Sequence, residues 1–343
     1  MRAMIFVVLA LLSYSGALTG GEWRAVSEIK LDHLESDAFD IRAIDGSTVY
    51  LALGRNGIVR LSAKSSKVER HVEKPAEEGG FFFAARLGAS PTRLAVASPF
   101  GAFAWRGLPE GKTGTLPFAL VMDVDVQGDR IVVLGADTDD TGTWAADGGL
   151  AWIGTMEGEK LELSLLALSD KGRGSQSVAR CHFLESGAVR FLPDGSILVV
   201  PGVESGVYLY DRRARLIRTW QTEPLGILDD CPFDAEQTSQ MAGDPAARWA
   251  WLNRFRTVED IVPAAGEPAL LVRSVMKGRT SWSLTTLLAD GKTRNQTLPV
   301  TQDGERWHAR ADIYEGRLML LLFEYALPGE KATPPRLVIL EPK

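Results

Sequence analysis

One pattern recurs along the 343-residue chain: an apolar run, a Gly or Asp turn, a second apolar run, a loop and a third apolar run. Repetition constrains the fold more than composition does, because each unit buries its faces only against its neighbours. Residues 187–220 hold the clearest copy: 188–192, the turn Pro193-Asp194-Gly195, 197–200, a short loop, 207–210, a second turn and 216–220 read as four strands. Asp-Gly between apolar runs is a strong hairpin signal. Residues 39–73 repeat the pattern, with strands at 39–44, 49–53, 58–61 and 68–72, and further copies begin near Phe81, Leu120, Val258 and His308. In residues 49–53 both alternating faces are apolar, as in a small sheet covered on both sides.

The last copy offers three strands, near 308–314, 316–323 and 335–341, and the fourth is found at the other end, where 23–31 reads as a strand. Sharing one sheet between the two ends closes a ring and removes two exposed edges. The expected fold is therefore all-β, a six-bladed β-propeller closed by pairing of the N- and C-terminal strands. It forms one domain over 22–343, with inserts at 168–186 and 221–257.

Phe191-Leu-Pro-Asp-Gly-Ser-Ile-Leu-Val-Val200, followed by Gly206-Val-Tyr-Leu-Tyr-Asp211 and Leu216-Ile-Arg-Thr-Trp220, resembles a repeat of the NHL-type six-bladed propellers of bacteria. The Trp-Asp dipeptide of WD40 repeats does not occur in the chain, and the kelch double-glycine spacing does not recur. The resemblance implies a fold whose members mostly bind protein, peptide or RNA partners, and whose similar six-bladed relatives include calcium-dependent lactonases and lyases. It implies a fold more than a function.

Charge narrows the partners. With 38 basic against 44 acidic side chains there is no surplus for phosphate backbones, so nucleic acid is not an expected partner. The first residues carry Arg2, an apolar stretch over 3–12 and small residues at Ser15 and Ala17. This is the three-zone pattern of a secretory signal, expected to occupy 1–17. Export to the periplasm or the medium follows, and no later apolar run is long enough to insert stably in a membrane. The mature protein is expected to be a monomer.

No Gly-x-Ser-x-Gly elbow is present, and Gly107 to Thr113 has only three residues between its glycines where a phosphate loop has four. The four histidines are scattered. Asp137 and Asp139, leading to Gly142, resemble the start of a calcium loop, but its twelfth position is Gly148 instead of a bidentate Glu. A solvated acidic loop is the simpler reading. Calcium is the one metal for which the chain offers ligands; otherwise no cofactor is expected. Cys181 and Cys231 flank the fourth copy and are expected to form a disulfide in an oxidising compartment.

In the longest insert, Asp244 as N-cap and Pro245 at the first helical position announce a short helix. Trp249, Leu252 and Phe255 fall on one stripe and Arg248, Trp251 and Arg254 on another. The helix is either a cap packed on the ring or a recognition patch, whose contacts would be Arg248, Trp251 and Arg254. The enlarged segments share one face of the ring, where binding is usually built. The expected function is an exported, non-catalytic propeller binding a protein, peptide or glycan there. The alternative is a calcium-assisted hydrolase or lyase with its site over the central channel.

Overall fold

The computed structural model describes residues 22–31, 38–45, 48–54, 57–62, 84–98, 102–107, 113–117, 120–136, 149–157, 160–168, 187–201, 206–221, 236–237, 240–241, 244–264, 267–325, 330 and 333–343. The chain enters through β1 (Trp23–Lys30) and then builds antiparallel sheets in sequence order. The first contains β2 (Asp40–Asp45), β3 (Thr48–Ala52) and β4 (Ile58–Ser62). The second runs β5 (Arg86–Ala89), β6 (Arg93–Ser98), β7 (Ala102–Gly107) and β8 (Thr113–Pro117). The third runs β9 (Leu120–Gln127), β10 (Arg130–Ala136), β11 (Gly149–Glu157) and β12 (Lys160–Leu168). The fourth is formed by β13 (Ala188–Phe191), β14 (Ile197–Val200), β15 (Val207–Tyr210) and β16 (Leu216–Trp220). After the helix α1 (Pro245–Leu252) come β17 (Thr257–Val262), β18 (Ala269–Met276), β19 (Arg279–Leu287) and β20 (Thr293–Asp303). The last sheet joins β21 (Trp307–Tyr314), β22 (Arg317–Glu324) and β23 (Arg336–Pro342) to β1.

The first strand of each sheet packs against the first strand of the next, in the order β2, β5, β9, β13, β17, β21 and back to β2. The molecule is a β-propeller around these six inner strands. The expectation of six complete four-stranded blades is corrected to five: among the described residues five sheets have four strands and the β2–β4 sheet has three. The fourth strand read at 68–72 lies outside the described residues.

Closure is as the pattern required. β1 pairs antiparallel with β23, from Trp23 opposite Pro342 to Lys30 opposite Arg336, with a bulge between Ala25 and Ser27. Only Trp23 of β1 is buried, as suits an outermost strand; its indole joins the cluster of Leu271, Trp282, Leu284, Trp307 and Leu320 between the last two sheets. The other cores likewise lie between neighbouring sheets, for example Val132, Val189, Ile197 and Tyr208 between the third and fourth. Flat sheets covered on both faces explain strands such as β3 and β17, which are buried at every position.

An up-and-down sheet whose inner strand comes first sends its blade-to-blade and second-to-third connections to one face of the ring. Its other two turns leave on the opposite face. The ends of β12 and β16, the starts of β13 and β17, and the facing ends of β10 and β11 and of β22 and β23 share the first, or insert, face. Turns such as Pro193-Asp194-Gly195 form the second, the turn face, where Gly195 takes φ 82.

Candidate functional site

The inner strands are apolar except for a recurring set of charged positions, and those charges meet on the ring axis. Asp40 and Arg42 come from β2, Arg86 from β5, Asp123 and Asp125 from β9, and Arg190 from β13. Glu259 and Asp260 come from β17, and His308, Arg310 and Asp312 from β21; all are buried. An inner strand has no ladder partner on its axial side, so its free N–H groups need other acceptors. Carboxylates of the preceding strand supply them. The N–H of Leu87 donates to Asp40 Oδ2 at 2.8 Å, those of Val189 and Phe191 to Asp123 Oδ2 at 2.9 Å and Asp125 Oδ2 at 2.8 Å. Ala309 donates to Glu259 Oε2 at 2.8 Å, Ala311 to Asp260 Oδ2 at 3.1 Å, and Ala43 to Asp312 Oδ2 at 2.9 Å. Arginines bridge in the other direction, donating to the following inner strand: Arg86 Nε to the Met122 carbonyl at 2.7 Å, and Arg190 Nη2 to Asp260 Oδ1 at 2.7 Å. Close approach of β5 to β9 depends on Gly88, whose added Cβ would stand 2.8 Å from Asp125 Cα.

The charges tune one another. Burial pushes the Asp260 carboxyl up, but Arg190, Arg42 and Arg310 outweigh it and hold the group below its ordinary range. Asp123 and Asp312 go the other way, raised because burial exceeds the pull of the arginines. Asp125 is raised by burial to about 6. His308 is depressed by burial to about 4, against the attraction of Glu259, whose Oε1 is 2.9 Å from His308 Nδ1. The imidazole is therefore neutral near pH 7.

At the insert face α1 packs on the ends of the last two sheets. Asp244 caps the helix by accepting from the Ala247 N–H at 3.0 Å. Trp249 packs on His308 with ring centroids 4.8 Å apart and stacks on Tyr325 at 5.5 Å, while Phe39 and Phe323 complete the aromatic cluster. The buried Arg273 fixes the other end of the helix, donating from Nη2 to Asn253 Oδ1 at 2.8 Å and from Nε to the Trp307 carbonyl at 2.7 Å. At the turn face the axis opens into a cavity of about 350 Å³ walled from all six sheets, with Arg42, Asp125, Arg190 and Asp312 as its charged groups.

Of the residues singled out in the sequence, Arg248, Trp251 and Arg254 lie on or beside α1. Trp251 is turned inward, buried and edge-on to Phe255 at 5.4 Å. Arg248 is half-buried with its guanidinium 4.8 Å over the Trp249 ring, and Arg254 is exposed. Asp137, Asp139, Cys181, Cys231 and the segment 1–17 lie outside the described residues. Among the described residues, no three His, Cys, Asp or Glu side chains stand together as a set able to hold a metal ion, and no helix is long and apolar enough to cross a membrane. The axial charges were missed, although a charged residue in the first strand of every copy was there to be seen.

No family model matches the chain, and no curated protein matches it in sequence. Solved structures do match in shape. A member of the DUF4221 family from Bacteroides vulgatus superposes with TM-score 0.54 at 10% identity, over 94% of this chain and 98% of that one. The WD40 repeats of RRP9 give 0.50 at 8% identity, over 94% and 100%. Virginiamycin B lyase from Staphylococcus aureus gives 0.49 at 10%, over 93% and 99%. At such identities the likeness shows the fold alone: the chain is similar to β-propellers.

Proposed function

We propose that the chain is an exported, non-catalytic β-propeller that binds a protein, peptide or glycan partner on its insert face and acts as a monomer. The observation that carries this reading is the seating of α1 on the insert-face end of the ring, where Trp249 packs on His308 and Asn253 is bonded to Arg273. A helix fixed on the face where the blades connect offers a rigid surface, and rigid scaffolds carrying enlarged loops are where binding is usually built. The polar groups on the axis are largely engaged in joining inner strands. The NHL-like blade at 187–220 and the signal-like segment 1–17 support partner binding and export respectively.

Arg248 and Arg254 are the contacts this reading keeps; Trp251 serves the packing beneath them. The test is recovery of a partner from the host's envelope and culture medium, using wild type and the double variant Arg248→Glu/Arg254→Glu. At least a tenfold loss of recovery is expected with an unchanged melting temperature. Equal recovery by two equally folded proteins would overturn the reading.

A further inference from the structure

Independently of the insert face, an open cavity of about 530 Å³ lies between the third and fourth sheets near the turn face. One wall is the outer part of the third sheet. Arg130, Thr155 and Glu162 stand opposite one another across β10, β11 and β12, as do Ile153 and Ser164, and Glu157 and Lys160. Opposed residues share a face of a sheet, as do residues two apart. Ile153 packs on the cluster of Val132, Val189 and Phe191, so this face looks towards the fourth sheet. The other wall is the turn between β15 and β16, which presents the exposed Arg212 and Arg213. Asp211 locks that turn: Oδ1 accepts from the N–H groups of Arg213 and Arg215, both at 2.9 Å, and Oδ2 pairs with Arg215 at 2.6 Å. Arg130 ties the turn to the third sheet, donating from Nη2 to the Arg212 carbonyl at 3.1 Å and from Nη1 to the Gly195 carbonyl at 3.2 Å. Burial and the neighbouring charge of Arg212 hold the Arg130 guanidinium below its ordinary range. Arg212 spends Nε on the Asp194 carbonyl. Its Nη groups, and the whole guanidinium of Arg213, have no partner among the described residues. Glu157 and Glu162 line the same cavity, and they too form no ion pair among the described residues. Charges of both signs thus face one space without meeting across it.

We propose that this cavity binds a small polyol carrying an oxyanion ester, a sugar monophosphate or monosulfate. The oxyanion takes the free donors of Arg212 and Arg213, in the positive field of Arg130. The hydroxyl groups meet the facing wall, where Glu157 and Glu162 accept and Thr155 and Ser164 both donate and accept. A bare anion uses only the first set of groups and a neutral sugar only the second. A volume of about 530 Å³ lies within the ordinary range of small-molecule sites.

Glucose 6-phosphate and glucose 6-sulfate are the probes, titrated against the folded full chain at matched ionic strength, with calorimetry and melting temperature as readouts. Saturable binding of at least one is expected, with glucose and inorganic phosphate each at least tenfold weaker; the ester that binds tells phosphate from sulfate. The double variant Arg212→Gln/Arg213→Gln changes two exposed side chains and should weaken that ester at least tenfold while the ligand-free melting temperature stays the same. Glu162→Gln, also at an exposed position, should weaken the ester at least threefold and leave inorganic phosphate unaffected, which keeps the test alive if the double variant fails to fold. Absence of saturable binding by both esters, or unchanged affinity in either folded variant, would overturn the proposal. Inorganic phosphate binding as tightly as the ester would overturn it too, leaving an adventitious ion only.

Discussion

Asp125 and His308 share the axis and are shifted in opposite senses by the same burial. Asp125 titrates near 6 in the folded chain against an ordinary 3.8, so its contribution to stability is full below about 3.8 and is lost as pH rises through about 6. Asp125→Asn should therefore gain on wild type as pH rises from 4 to 7, by up to about 3 kcal/mol on a two-unit shift. Urea unfolding across that range checks it, and parallel profiles would show that the group does not titrate in the window. His308, depressed from 6.5 to about 4, contributes stability above 6.5 that is lost as pH falls through about 4. The opposed slopes partly cancel between 4 and 6. Proton NMR of the imidazole isolates the second: its shift should stay flat from pH 8 down to 5, whereas an exposed histidine would be half-titrated near 6.5. None of this was legible from local motifs. Asp40, Asp123, Arg190, Asp260 and Arg310 are spread over most of the chain and acquire meaning only when the ring brings them to one axis.

At the scale of elements, α1 shows what a short amphipathic pattern can and cannot reveal. Its start was legible, because Asp244 accepts from a first-turn N–H and Pro245 brings none that needs a partner, by rules that need no tertiary context. Its inward face was only half legible. Trp249 points to the ring as its stripe required, but Trp251, assigned to the outer stripe, is buried as well, since Phe255 folds back against it after the helix ends. A helix of eight residues seated between a ring and its own trailing turn is covered on two sides, and the second cover cannot be read from periodicity. The anchor was not legible either: Arg273 lies on β18, in the middle of an apolar strand. Arg273→Met keeps the length of the side chain and removes the bonds to Asn253 and Trp307, hydrogen bonds to a charged group worth roughly 1.5–3 kcal/mol each. Limited proteolysis within 236–256 should accelerate at least tenfold while the ring still melts cooperatively; an unchanged cleavage rate would mean that Trp249 alone holds the helix. Asp244→Ala should act in the same direction but cost only about 1 kcal/mol.

At the scale of the whole molecule, the repeat pattern carried the architecture because each copy encodes the same inner-to-outer order of strands, and the uneven copy lengths only record the inserts. In the first sheet three strands are described, and the fourth strand read at 68–72 lies outside the described residues. The same topology bears on Cys181 and Cys231. β13 starts and β16 ends on the insert face, and Cys181 and Cys231 precede and follow this sheet in sequence. The oxidised, denatured protein should show no free thiol, and reduction should cost about 4 kcal/mol for a loop of this order. Closure of the ring makes the strongest demand. β1 brings few buried side chains, yet it covers the edge of β23, buries Trp23 between the last two sheets and adds the bonds of Lys343 N–H to the Glu22 carbonyl and of Arg24 to Glu341. Without it β23 becomes an open edge and the Trp282 and Trp307 side of the core loses its cover. A chain beginning at Asp32 should therefore lose its single sharp unfolding transition and aggregate as β23 pairs between molecules. Trp23→Ala in the full chain should remain monomeric but lose about 3–5 kcal/mol. Melting curves and light scattering on the two proteins separate the effects, since only removal of the strand exposes backbone. A truncated chain that melts as sharply as the full one and stays monomeric would show that the sheets hold their ring without being joined at the ends.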